Sequence, residues 1–453
     1  MTQQEIFFDL LQFSIGVKDD IPTSLKKADW QEIYAMGKKQ AVLGVLFHGI
    51  QRLPKEVAPE PKHLFQWITV AQQIRQANIR LNADCVNIQE RFRKAGFRTC
   101  ILKGQGNALL YPNAYIRTPG DIDILIEGGR EKVMKYVNSI CPGQTMRYHH
   151  VDFPVMKTDV EVHFTPSYMY NPIANSRLQR WFERNIGLQC SNVVPLPDGA
   201  GQISAPTTAF NVVYQLSHLY RHVFAEGIGL RQLVDYYYVF KSLPQNNTDT
   251  LLNHESNESD EELENNNKNT REACSLSTKV SEAEPILSAC EQAPTANTDS
   301  SSMPLHGICM TPEQKQAALQ QKQSLADGNT QNVKQVTNAK VALQRELRHL
   351  GLYDFAGAVM YVLHEVLEMG EAEMIVPMNV REGKFLLDEI MIGGNFGKYD
   401  ERYGNRDSEG KVRRFLRMSL HSARFIKHYP SEALCEPFFR AGLAVWKKMK
   451  GYK

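Results

Sequence analysis

Two aspartates one residue apart, Asp121 and Asp123, stand in the run Asp-Ile-Asp-Ile-Leu-Ile that follows the turn signal Thr118-Pro-Gly120. Side chains alternate along an extended strand, so both acids share one face while Ile122, Ile124 and Ile126 share the other. Carboxylates on one face repel, and burying them unpaired pushes one pKa upward, so a divalent cation between them is the simplest relief. Magnesium suits such a site, with Mn2+ as the alternative, because it takes one or two carboxylates and accepts its remaining oxygens from water and substrate phosphates. A bland reading has Asp121 capping the Pro-Gly turn and Asp123 pairing with Arg117 at the surface. The context argues against it. Asp159-Val-Glu-Val-His-Phe164 has the pattern of a second strand with Asp159, Glu161 and His163 on one face, which supplies a third carboxylate, Glu161. Three convergent acids suit a two-metal displacement.

Upstream, Arg98-Thr-Cys-Ile-Leu102 is predicted as a buried strand ending at Lys103-Gly104, where a helix opens whose free N–H groups can hold an anion. The same Gly104 would serve equally as an ordinary turn glycine. Lys103 and Arg117 either neutralise phosphate charge or pair structurally with the acids. His149 and His150 fall on a predicted strand, where one would face the carboxylates and the other would not. His218 and His222 lie four apart on a predicted helix but lack the Glu of a zincin arrangement, and are read as packing or polar-face histidines.

These residues need elements to hold them. The chain has 453 residues, 42% apolar and 23% charged, which leaves room for more than one core. Apolar spacing predicts an N-terminal helical region over 1–96, a catalytic core with a small mixed sheet over 97–170, and a helical region over 171–242. The segment 243–337 is rich in Asn, Ser, Thr, Gln and Glu and nearly free of aromatics, a composition predicting a disordered insertion, and its Cys274, Cys290 and Cys309 are given no site role. A helical C-terminal region follows over 338–453, broken at Gly393-Gly-Asn-Phe-Gly397, at Tyr403-Gly-Asn405 and at Pro430. From Lys411 to Lys453 eleven Lys or Arg face two acids, against a net charge of only +2 for the whole chain. Such a basic face can meet RNA, a nucleotide or an anionic membrane surface, or simply be solvated. The eight cysteines form no Cys-x-x-Cys pair, no run reaches membrane-helix length, and the N-terminus lacks a basic region ahead of its apolar stretch. A cytoplasmic α+β protein is the expectation, its small mixed sheet flanked by predominantly helical N- and C-terminal regions.

In order and spacing, Leu102-Lys-Gly104, Arg117-Thr-Pro-Gly-Asp-Ile-Asp-Ile-Leu-Ile126 and Val160-Glu-Val-His163 resemble the uncharacterised nucleotidyltransferase family of the DNA polymerase β-like superfamily. The likeness is strong over the core and loose over the flanks, and Phe385 to Tyr403 resembles the C-terminal region of bacterial members. It implies a triphosphate seated at Gly104, with Lys103, Gln105 and Arg117 around it. It further implies that Asp121 and Asp123 bind two magnesium ions and that Glu161 binds the catalytic one. Gln105 stands where the superfamily usually has Gly or Ser, and the gap to Asp121 is longer than common. The implied reaction moves a nucleoside monophosphate from a nucleoside triphosphate to an acceptor hydroxyl, with release of pyrophosphate. The acceptor, whether small molecule, protein or RNA, is not fixed by fold-level likeness. A rival of another class is a non-catalytic nucleotide-binding or interaction protein, such as a toxin–antitoxin component, which would tolerate loss of the third acid. On repulsion alone, Asp123→Asn should leave metal-free stability equal or slightly higher.

Overall fold

The computed structural model describes residues 1–243, 340–403 and 410–452. The expected disordered insertion and its three cysteines lie almost wholly outside these residues, as does part of the expected break at 403–405. Five cysteines within them are free thiols.

The fold is α+β. Four strands, β1 (Thr99–Leu102), β2 (Ile122–Ile126), β3 (His150–Asp152) and β4 (Val160–His163), form a mixed sheet in the order β1-β2-β4-β3. β1 runs antiparallel to β2, β2 parallel to β4, and β4 antiparallel to β3. The expected strands are present but shorter. Of the predicted strand over 146–156, only His150–Asp152 pairs continuously, with a single bridge from Met146 to Val151 across a tight turn.

Alternation divides the sheet as the sequence requires. Ile101, Ile122, Ile124, Ile126, Val160 and Val162 pack on one face against α4 (Pro61–Lys94), through Leu81, Cys85, Ile88 and Phe92, and against Val133 and Val137 of α6 (Gly129–Ile140). Cys100, Leu102 and Leu125 face the other way, into a larger helical core. Asp123 lies on that second face, opposite Leu102 of β1 and beside Glu161 of β4.

The helical core is built from both ends of the chain. Near the N-terminus α1 (Gln3–Ser14), α2 (Trp30–Lys39) and α3 (Leu43–Ile50) contribute, and α5 (Gly104–Ala108) follows β1. α7 (Pro172–Gln189) leads to a two-stranded hairpin, β5 (Val193–Pro195) and β6 (Gln202–Ser204), absent from the sequence expectation. α8 (Thr208–Ala225) and α9 (Leu230–Lys241) precede α10 (340–350), α11 (Tyr353–Leu367), α12 (Val380–Gly393), α13 (Lys411–Ala423) and α14 (Pro430–Met449). Gln12 Nε2 donates to Val366 O at 3.2 Å, and Gln40 Nε2 to Ile390 O at 3.0 Å, so helices far apart in sequence share one core.

α9 is the element most relevant to chemistry. Its start is pinned by Gln40, whose Oε1 accepts from Leu230 N–H at 3.0 Å. Gly229 precedes it because the backbone of Asn395 comes so close that a Cβ would sit 2.8 Å from Asn395 Cα. That approach carries the turn after α12, with Phe396, to the mouth of the site.

Candidate active site

β1 ends at Lys103, whose backbone has φ +51°, and Gly104 follows at φ +43°. Left-handed backbone suits glycine but strains lysine, by roughly 1 kcal/mol or more. The strained turn points the Lys103 ammonium back over the sheet, 2.9 Å from Asp123 Oδ2 and 2.5 Å from His218 Nε2 on α8. His163, on β4, places its Nε2 2.9 Å from the other oxygen of Asp123. Asp123 is thus buried with both carboxyl oxygens engaged. Burial alone would raise its pKa, yet Lys103 and His163 hold it far below the usual carboxylate range.

Asp121 is a contrast. It stands exposed at the open side of the cleft, and the charge of Asp123, followed by burial, pushes its pKa up to about 6. Glu161 pairs in register with Asp123 and lies half-buried, its Oε2 3.0 Å from His150 Nδ1 and 3.6 Å from His163 Nε2. Asp123, Glu161 and His163 each offer a ligand atom within 4.8 Å of the other two, whereas Asp121 is outside that group. The three carboxylates of the sequence reading therefore occupy one corner of the sheet without meeting at one point.

A cleft of about 520 Å³, counted out into open solvent, lies in front of Asp121 and Asp123. Lys103, Gly104, Arg117 and Gly120 line it together with Gln215, His218, Arg231, Asp235 and Phe396. Arg117 lines it but is committed elsewhere: its Nε and Nη2 each reach a different oxygen of Asp235 at 2.8 Å. The Tyr111 hydroxyl donates to the same Asp235 at 2.7 Å. The surface pairing of Arg117 with Asp123 weighed from sequence is replaced by this buried pair on α9. Gln105 turns its side chain away from the cleft, toward Asn82 of α4, leaving only its backbone near the turn.

Several residues here escaped the sequence reading. Arg231 is buried, donates from Nη1 to Thr118 O at 3.2 Å, and keeps an Nε with no hydrogen-bond partner among the described residues. Its signal was present in the polar residues Arg231, Gln232 and Asp235, at helical spacing inside an otherwise apolar α9. His218, taken for a packing histidine, meets Lys103 in the cleft; burial, then Lys103, drives its pKa well below the normal range, so it accepts from the ammonium as a neutral ring. His149 corrects the strand expectation. It precedes β3 instead of lying in it, so alternation does not apply, and its ring packs against both His150 and His163.

With this geometry in hand, comparison with known families is informative. A family model described as an uncharacterised nucleotidyltransferase matches residues 26–259, over half of the chain. The chain belongs to that family. The match takes in α2 through α9, and with them every residue lining the cleft except Phe396. Membership gives the chain a nucleotide substrate and a transferase activity. No curated protein and no solved structure matches it significantly.

Proposed function

We propose that the protein is a metal-dependent nucleotidyltransferase of the polymerase β-like type, moving a nucleoside monophosphate from a nucleoside triphosphate to an acceptor hydroxyl and releasing pyrophosphate. The observation that carries this reading is the mismatch between the two aspartates: Asp123 is held ionised by the charge of Lys103 and the hydrogen bond to His163, while Asp121, exposed at the cleft, has its pKa raised by Asp123. A divalent cation fits that donor set, since it would relieve the repulsion raising Asp121, and each engaged oxygen of Asp123 retains a further lone pair. Asp121, Asp123 and Glu161 are the residues that would hold magnesium or manganese. Such ions, when bound, stabilise charge on the attacking and leaving oxygens of an in-line displacement.

The chain's own residues supply the rest. In this reading Lys103 serves as the resident counter-charge of Asp123 and turns toward phosphate oxygens when substrate arrives. Arg231, with its unpartnered Nε, is the guanidinium available to the triphosphate, while Arg117 supports the wall through Asp235. In this reading Gly104, which lines the cleft, seats phosphate through its backbone N–H. Phe396, beneath the Arg231 guanidinium at 5.5 Å, offers an apolar surface for a base or acceptor.

Incubation of the protein with each labelled nucleoside triphosphate and magnesium in cell extract tests the proposal, with Asp123→Asn as control. Label transferred to a discrete acceptor only by the wild type supports it. Nucleotide binding without transfer under any of the four nucleotides would leave a binding protein instead.

A further inference from the structure

Beside the carboxylates lies a second donor set of different chemistry. His149, just before β3, His150 on β3 and His163 on β4 each present a ring nitrogen within 4.8 Å of those of the other two. All three side chains are more than nine-tenths buried. Nε2 of His149 and Nδ1 of His150 lie 3.2 Å apart, and Glu161 Oε2 lies 3.0 Å from that Nδ1 and 3.6 Å from Nε2 of His163. Ligand atoms held around one ion at roughly 2.0–2.1 Å stand about this far from one another. We propose that His149, His150 and His163 bind a transition-metal ion of the zinc class, distinct from the magnesium expected at the aspartates.

The surroundings favour a cation. His150 directs Nδ1 to Glu161 at 3.0 Å and His163 directs Nε2 to Asp123 at 2.9 Å. Both carboxylates stand on the side where the ring nitrogens converge, and their charge favours a cation there. Arg221, and beside His150 also Arg147, are the positive groups that oppose an ion, and the charge of Asp123 favours one. Three imidazoles select zinc, cobalt, iron or nickel over magnesium, which prefers oxygen. Three protein nitrogens also leave a fourth position, for which Glu161 or a water is suited. Binding of this ion does not depend on the proposed transfer reaction.

Cobalt titration of the chelator-treated full-length protein in excess magnesium is the test. One equivalent should bind with the visible absorption of a low-coordinate nitrogen-ligated cobalt ion, be displaced by zinc, and persist in Asp121→Asn. His149→Gln should weaken it by about 100-fold or more. X-ray absorption of the zinc-loaded wild type should count about three imidazole nitrogens, a measurement that stands even if His149→Gln does not fold. Failure of folded wild type to take up cobalt in magnesium, an oxygen-only shell, or undiminished binding by folded His149→Gln would overturn the site. Each outcome is independent of labelled-nucleotide transfer, so loss of one reading leaves the other standing.

Discussion

Two charged clusters line one cleft, and they are finished to different degrees. In the first, Arg117 and Asp235 make two parallel hydrogen bonds at 2.8 Å, the Tyr111 hydroxyl adds a third contact, and all three groups are buried. In the second, Asp123 is held between Lys103 and His163 while Asp121, two residues away, has its pKa raised to about 6 and opens toward solvent. A closed cluster of the first kind contributes orientation and specificity to the fold, since charge–charge attraction there is largely offset by desolvation. The second retains an unresolved repulsion and unfilled donors, which is where binding of a cation or phosphate gains most. Satisfied charge marks scaffold, and frustrated charge marks the place of chemistry.

Mutations that exchange the roles of the clusters test this distinction. The largest effect is expected for Asp123→Asn, which should lower nucleotidyl transfer by about 10³-fold or more, measured as kcat/KM with the labelled nucleotide. Its effect on stability differs from the expectation drawn from repulsion alone. Because Asp123 engages both Lys103 and His163, the mutant loses a buried ion pair and weakens a buried hydrogen bond, so without metal it should be less stable than wild type by calorimetry.

Next comes the closed cluster. Asp235→Ala strands the buried Arg117 guanidinium and should cost about 3–5 kcal/mol in denaturant unfolding, with or without divalent metal. An activity loss larger than the loss of folded protein explains would promote Asp235 from scaffold to site.

Lys103→Met separates the clusters more finely. It removes the counter-charge of Asp123 while leaving the positive-φ backbone strain in place, and should cost about 1–3 kcal/mol in EDTA. Most of that loss should return on adding magnesium and nucleotide, because cation binding to the native state stabilises it by mass action. A deficit indifferent to magnesium would mean that Lys103 is a structural partner only.

The smallest effect belongs to Asp121→Asn, and its sign is the informative part. Asp121 has a pKa near 6 in the folded protein against 3.8 ordinarily, so the folded state keeps a proton that the unfolded chain has already lost. Stability from this group is therefore lost as pH rises through that window, and the mutant should abolish the fall, gaining within about 0.5 kcal/mol at neutral pH. Asp123, with a depressed pKa, contributes with the opposite sign: its stabilisation is present above the usual carboxylate range and lost as acid is added. Urea titrations of wild type and both mutants between pH 3 and 8 would show the two slopes opposed.

How much of this was legible without coordinates follows from the range of the forces involved. Alternation is local, so the strand at Ile122–Ile126, its buried isoleucines and the shared face of Asp121 and Asp123 were readable in five consecutive residues, as was the second strand carrying Glu161 and His163. Order and spacing of those strands were enough to resemble the family. Pairing partners are different. Whether Arg117 would meet Asp123 or Asp235 depends on where α9 docks, and that is set by Gln40, Gly229 and the turn around Asn395, residues up to about 350 positions apart in the chain. The same docking decided that Arg231 lines the cleft. The fate of the histidines turned on the exact start of β3, since one residue decides whether His149 obeys alternation. The sequence by itself determined which residues could do chemistry and which strands present them, because those follow from period and residue type. Only the tertiary structure decided which charges are neutralised and which remain open, because that depends on desolvation and on partners brought together by packing over long separations.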